Sequence, residues 1–140
     1  MSETDDTTDD EQLSTYREYP LGVRIDEVPS AADGGSRYRF EAPQHAGMAF
    51  EDADDAELYA DVYFDTNGFQ EANTGDRGVP PEVIQAGRDT LAAYFLTQPY
   101  ADVSWVASFW GKKPPKIERY VGSVRTRAEE IREGIRERDP

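Results

Sequence analysis

The fold depends most on residues 102–110, DVSWVASFW, because this segment fits two patterns of hydrophobic spacing. With a period of two, the odd-numbered residues from Val103 to Phe109 lie on one side of a strand. With a period of 3.6, one face of a helix carries Val103, Val106, Ala107 and Trp110. Valine, tryptophan and phenylalanine favour strands. Both structures therefore stay open for this segment, which we treat as helix or strand.

Helical spacing is clear on both sides of this segment. Pro80-Pro81 suits the first turn of a helix, because proline has no N–H to leave unpaired there. The apolar residues that follow it recur at helical spacing and predict a helix over 82–97. A second apolar stripe, from Ile117 to Ile135, predicts a long C-terminal helix over 115–137.

Before residue 80 the spacing has a period of two. Three stretches alternate in this way: 21–28, 37–42 and 57–65. Asn67-Gly68 suits a tight turn onto a further strand, 69–72, because this dipeptide accepts positive φ angles. Alternation of this kind is typical of an antiparallel sheet with one face covered. The predicted fold class is therefore α+β: an antiparallel sheet of three to four strands over about 20–72, a helix, the undecided segment 103–110 and the long C-terminal helix.

The domain organisation follows from length and charge. The chain has 140 residues, which suits one domain. Residues 1–14 carry six acidic side chains, no basic one and almost nothing apolar, so we expect a disordered acidic tail. The single α+β domain then covers 15–140. No apolar stretch is long enough to cross a membrane, and the N-terminus lacks the pattern of a secretory signal.

The charge composition points to an environment of high salt. There are 29 acidic and 15 basic residues, a net charge of -14, and twelve of the basic residues are arginine. This composition resembles that of proteins from halophiles that accumulate salt, haloarchaea in particular. The resemblance implies a cytoplasmic protein whose charge repulsion is screened by molar salt. An ordinary acidic protein is the alternative.

Candidates for catalysis are few. The chain has no cysteine and one histidine, His45, which follows Pro43 in an expected loop. A lone histidine needs a nucleophile and an orienting partner to act as a general base. An enzyme that uses His45 with nearby acids is therefore the least supported function. We expect no catalytic residue, no metal site and no cofactor.

A known DNA-binding motif has a counterpart between residues 82 and 121. Ala107, Gly111 and Ile117 stand at the spacing of three residues in that motif: a small residue in one helix, a turn glycine and a β-branched residue that docks the next helix. On these residues, 82–121 resembles a helix-turn-helix, which is found in many bacterial and archaeal DNA-binding domains. The resemblance covers about 40 of the 140 residues. It implies that the helix over 82–97 supports the pair and that 103–121 contacts DNA.

The charge distribution adds to this resemblance. Residues 1–110 hold 23 acids and 6 bases, whereas residues 111–140 hold 6 acids and 9 bases. Contacts with phosphates provide most of the affinity of proteins for DNA. The candidate nucleic-acid-binding residues are Lys112, Lys113, Lys116 and Arg119. The sequence thus predicts a small non-catalytic nucleic-acid-binding protein with DNA as the partner, and a regulatory role would suit it.

Two features depart from the helix-turn-helix pattern. Trp105, Phe109 and Trp110 are bulky for a short first helix, and the C-terminal helix is longer than a usual recognition helix. That helix is a candidate for forming a homodimer, with Ile131 and Ile135 facing a second copy. The alternative function is an α+β protein-interaction or assembly module that does not bind DNA.

Overall fold

The computed structural model describes residues 14–29, 35–43, 45, 47–69 and 79–138. The chain divides into two compact units, Met1–Ala56 and Glu57–Pro140. Four strands are described: β1 (Ser14–Glu18), β2 (Arg24–Pro29), β3 (Ser36–Glu41) and β4 (Met48–Phe50). The described helices are α1 (Ala53–Asp65), α2 (Pro81–Ala86), α3 (Arg88–Leu96), α4 (Val103–Trp110) and α5 (Pro114–Arg138). None of these helices is long and apolar enough to cross a membrane.

The strands form one antiparallel sheet in the order β1-β2-β3-β4, so neighbours in the chain are neighbours in the sheet. Ile25 of β2 lies opposite Phe40 of β3, and both side chains are fully buried. Helices follow the sheet in the chain. These elements confirm the predicted α+β class with a four-stranded antiparallel sheet.

Two of the strands differ from those predicted. β1 begins at Ser14, the last residue of the predicted tail, whereas residues 1–13 lie outside the described residues. The side chains of β1 are mostly exposed, so it has no apolar alternation to reveal it. β4 contains three residues, which is too short to establish a period.

The predicted strand over 57–65 is wrong, because these residues belong to helix α1. Leu58, Ala60, Val62 and Phe64 alternate in the sequence, but Tyr59 between them is also fully buried. A helix that is buried on most of its circumference shows no clean period of 3.6. Its 13 residues exceed the usual length of a strand, and length was the better guide here.

Asn67-Gly68 ends α1 instead of closing a hairpin. Asn67 has a φ of 61° and Gly68 a φ of 98°, and the Gly68 N–H donates to the Tyr63 carbonyl at 2.7 Å. The preference of this dipeptide for positive φ, which predicted a tight turn, serves the end of a helix equally well. Of the predicted strand 69–72, all but Phe69 lies outside the described residues.

The predicted helix over 82–97 is interrupted. Gly87, with a φ of 122°, separates α2 from α3, and few residues other than glycine adopt this conformation. α3 ends at Leu96, where Thr97 Oγ1 donates to the Tyr94 carbonyl at 2.7 Å. The predicted C-terminal helix over 115–137 is confirmed, since α5 extends it by one residue at each end.

Candidate nucleic-acid interface

The undecided segment 103–110 is helix α4, and a tight turn joins it to α5. Asp102 caps its N-terminus, because Asp102 Oδ1 accepts the Trp105 N–H at 2.8 Å. At the other end Gly111 is left-handed, with φ 64° and ψ 35°. The N–H groups of Gly111 and Lys112 donate to the carbonyls of Ser108 and Ala107, which completes a glycine-capped helix end. The strand alternative for this segment is therefore wrong.

The three residues that carry the helix-turn-helix resemblance have defined places in this unit. Ala107 is buried in α4, Ile117 is fully buried in the first turns of α5, and Gly111 makes the turn. Val106 of α4 is also fully buried, and α4 packs on α5. A small side chain at Ala107 and a branched one at Ile117 suit two helices that meet directly after a short turn.

The four predicted binding residues lie together at the start of α5. Lys112 and Lys113 are exposed in the turn, and Arg119 is exposed on α5. Lys116 is half-buried, with Nζ 5.5 Å from the centre of the Tyr120 ring. Lys116 and Arg119 are three residues apart, so they share one side of the helix. Among the residues that the structure describes, no carboxylate lies within ion-pair distance of any of the four.

The arginines farther along α5 are used differently. Arg132 is buried and its Nη1 donates to Asp61 Oδ1 of α1 at 2.9 Å, while its Nη2 donates to Glu129 at 2.8 Å. Arg125 Nη1 donates to the other oxygen of Asp61 at 3.0 Å. Burial lowers the pKa of Arg132, but these hydrogen bonds outweigh it and leave the pKa above its usual value.

Arg127 makes a second link between helices. Its Nε and Nη2 donate to the two oxygens of Asp65 in α1, at 2.8 and 2.9 Å, and its Nη1 donates to Asp89 of α3 at 2.8 Å. Thr90 Oγ1 also donates to Asp65, at 2.7 Å. The hydrogen bonds that Arg127 donates to Asp65 and Asp89 raise its pKa further above its usual range. These pairs attach α5 to α1 and α3 and leave the cations near the turn available.

The outer side of α5 continues from Arg119 as a shallow, open surface. Arg119, Gly122, Ser123, Thr126 and Arg127 line it, at the spacing of one helix face. Gly122 has open space where a Cβ would be, so no packing within the described structure requires glycine there. Small and hydroxyl-bearing side chains beside an arginine leave this face accessible to a large polar partner.

Sequence reasoning missed a second exposed surface beside the turn. We call Tyr100, Trp105 and Phe109 the aromatic platform, since these side chains are 55%, 38% and 55% exposed. The sequence feature that indicates this surface is the bulk of Trp105 and Phe109. From the sequence alone, that bulk was interpreted only as a departure from the helix-turn-helix pattern. Once α4 is a helix, residues four apart lie on one face, and these two share an exposed one.

His45 contacts its own loop and the neighbouring strand β3. Its Nδ1 accepts the Gly47 N–H at 3.0 Å, and its ring meets Phe40 edge-on with the ring centres 5.2 Å apart. Burial lowers the pKa of His45. Protonation of Nδ1 would remove the acceptor for Gly47, so the neutral imidazole is the form that fits this loop.

We expect His45 to make stability depend on pH. A histidine pKa that is lower in the folded than in the unfolded chain gives stability that is complete above about pH 6.5 and is lost as the pH falls toward the folded pKa. His45→Gln keeps a hydrogen-bond acceptor but does not titrate. Thermal melts from pH 8 to pH 5 should therefore show a steeper loss in the wild type than in this variant. Parallel curves for the two proteins would contradict this assignment.

Two further features of the described residues bear on function. Ile131 and Ile135, the residues proposed to face a second copy, are half-buried. No group of three or more histidine or acidic side chains in the described ranges is arranged to hold a metal ion.

Comparison of the chain with protein-family models, with curated proteins and with solved structures gave no match.

Proposed function

We propose that the protein binds DNA, without catalysis, through α4, the turn at residues 111–113 and α5. The observation that carries the proposal is a group of four cations that have no carboxylate partner among the residues that the structure describes: Lys112, Lys113, Lys116 and Arg119. The chain carries a net charge of -14, so this group of cations is a local departure from its overall charge. Lysine and arginine in this position suit the phosphates of a nucleic acid.

The arrangement of the two helices supports duplex DNA as the ligand. α5 starts next to the turn lysines and exposes Arg119, Ser123 and Thr126 along one face. The major groove admits an α-helix, and there arginine pairs with guanine and hydroxyl groups contact either base type. In this arrangement Lys112 and Lys113 contact the phosphate backbone of the DNA, and Arg119 contacts the base edges. If the protein works in molar salt, base contacts and shape contribute more than counterion release.

The proposal is tested by binding to a set of duplexes of different sequence in 1 M KCl, measured by fluorescence anisotropy. We expect Lys112→Ala/Lys113→Ala to weaken binding by a similar factor on every duplex, because phosphates carry no sequence information. Arg119→Ala should instead cost about 1–3 kcal/mol, and only at preferred sequences.

A matched control is Arg136→Ala, which removes an exposed arginine that pairs with Glu129 and Glu133 near the end of α5. This variant should bind like the wild type. The proposal fails if the wild type binds no duplex, or if the double lysine variant binds as well as the wild type.

The second candidate function is the protein-interaction or assembly module. The observation that favours it is the exposed aromatic platform, since apolar patches of this kind often mark contacts with other proteins. This function, including a homodimer through α5, requires that the protein associates without DNA. Light scattering across a concentration series in molar KCl distinguishes the two functions.

A further inference from the structure

The aromatic platform is held in position by the helices beneath it. Trp105 and Phe109 lie four residues apart on α4, with their rings within 14° of parallel and their centres 5.6 Å apart. Phe95 of α3, which is buried, meets both rings edge-on, at 5.5 Å from Trp105 and 5.4 Å from Phe109. Tyr100 meets Trp105 edge-on at 5.4 Å. Flat surfaces that are fixed before binding lose little conformational entropy when a flat ligand stacks on them.

Cations lie next to this platform in the chain. α4 ends one residue after Phe109, and the Lys112 N–H donates to the Ala107 carbonyl at 2.8 Å, which fixes the backbone of the turn against the end of α4. Lys112 and Lys113 are exposed, and no described carboxylate is within ion-pair distance of either. The ligand that complements the platform and the turn is therefore flat, apolar on its faces and attached to an anion.

We propose that unpaired bases of a nucleic acid stack on Trp105 and Phe109, while Lys112 and Lys113 hold the adjoining phosphates. Every base has a face that stacks on an aromatic ring, and proteins that bind single strands combine such rings with a positive surface. This inference rests on the proposed function and deepens it. The preferred ligand is a DNA duplex that continues into a single-stranded segment, with the paired part on α5 and the unpaired bases on the platform.

The experiment compares two probes in molar KCl: a blunt 20-base-pair duplex, and the same duplex with a single-stranded extension of five thymidines. Wild-type protein should bind the extended probe about tenfold more tightly, because stacking on aromatic side chains contributes on that order for each base. Tryptophan fluorescence should be quenched by the extended probe, because Trp105 is one of the two tryptophans of the chain. Trp105→Ala/Phe109→Ala should lose the preference and bind both probes equally.

Two further variants show that stacking is the cause. Trp105→Leu/Phe109→Leu keeps an apolar surface and a helix but removes the rings, so it should also lose the preference for the extension. Tyr16→Ala removes an exposed aromatic residue of β1, 42% exposed, and should keep the preference. Circular dichroism establishes that each variant is folded.

Each outcome decides between the two proposals. If the wild type binds both probes equally and Lys112→Ala/Lys113→Ala weakens that binding, the stacking proposal is overturned and the proposed function stands. If no probe binds, both are overturned. If Trp105→Ala/Phe109→Ala leaves probe binding unchanged but alters the oligomeric state in light scattering, the platform is a contact between protein molecules and the stacking proposal is overturned.

Discussion

Asp61→Ala is expected to destabilise the protein by about 3–5 kcal/mol, since it removes one partner of a buried ion pair. The side chains of Asp61 and Arg132 are only 7% and 3% exposed. In this variant the buried guanidinium of Arg132 still pairs with Glu129, but the Glu129 carboxylate is half exposed. For a chain of this size the melting temperature in 2 M KCl should fall by roughly 10–20 °C.

Two control variants separate a buried charge from a general loss of contacts. Arg125→Ala removes the other, 42% exposed arginine on Asp61 and should cost less than about 1 kcal/mol. Asp61→Leu/Arg132→Met replaces the buried pair with apolar side chains and should recover most of the stability. If Asp61→Ala costs no more than Arg125→Ala, the pair does not hold α1 and α5 together as described.

Salt is expected to have the second large effect. With 29 acidic residues and a net charge of -14, the folded chain repels itself in dilute buffer. The acidic run before and within α1 adds to this locally: burial is the main cause that raises the pKa of Asp55, and the charges of Asp52 and Asp54 raise it further. Molar KCl reduces the screening length to about 3 Å and removes most of this repulsion. We predict a loose or unfolded chain in dilute buffer and a cooperative melt in molar KCl.

The local repulsion provides a matched variant for this prediction. Asp52→Asn/Asp54→Asn removes two exposed charges beside Asp55. The melting temperature of this variant should exceed that of the wild type at the lowest KCl concentration at which both proteins melt cooperatively, and should equal it in 3 M KCl. A wild-type melt that is fully stable at 0.1 M and unchanged up to 3 M would contradict the halophilic interpretation.

The elements that could be predicted from the sequence are those with one apolar side. α5 follows its stripe of isoleucines and valines to within one residue at each end. α1 was predicted as a strand because Tyr59 and Ala60 are as deeply buried as Val62, so that burial on nearly all sides concealed the helical period. Local spacing cannot distinguish a fully buried helix from a strand, whereas length can.

The charge pattern of the sequence located the candidate site but did not predict its shape. Lys112, Lys113, Lys116 and Arg119 were found because they stand together after 110 residues dominated by acids. The sequence does not show which cations have partners. Arg127 and Arg119 are the same residue type, but Arg127 pairs with Asp65, a residue 62 positions away. The aromatic platform also could not be predicted from local spacing. Tyr100 lies in the loop before α4, and only the fold brings its ring against Trp105.

The measurement that tests DNA binding through the turn most directly is the dependence of affinity on KCl concentration. Duplex binding is followed over the range of KCl in which circular dichroism shows the protein folded, for the wild type and for Lys112→Ala/Lys113→Ala. Each lysine that contacts a phosphate contributes about 1 to the slope of log affinity against log salt. We predict that the wild type binds and that the slope of the double variant is shallower by about 2. Absence of binding throughout this range, or equal slopes for the two proteins, would contradict the account.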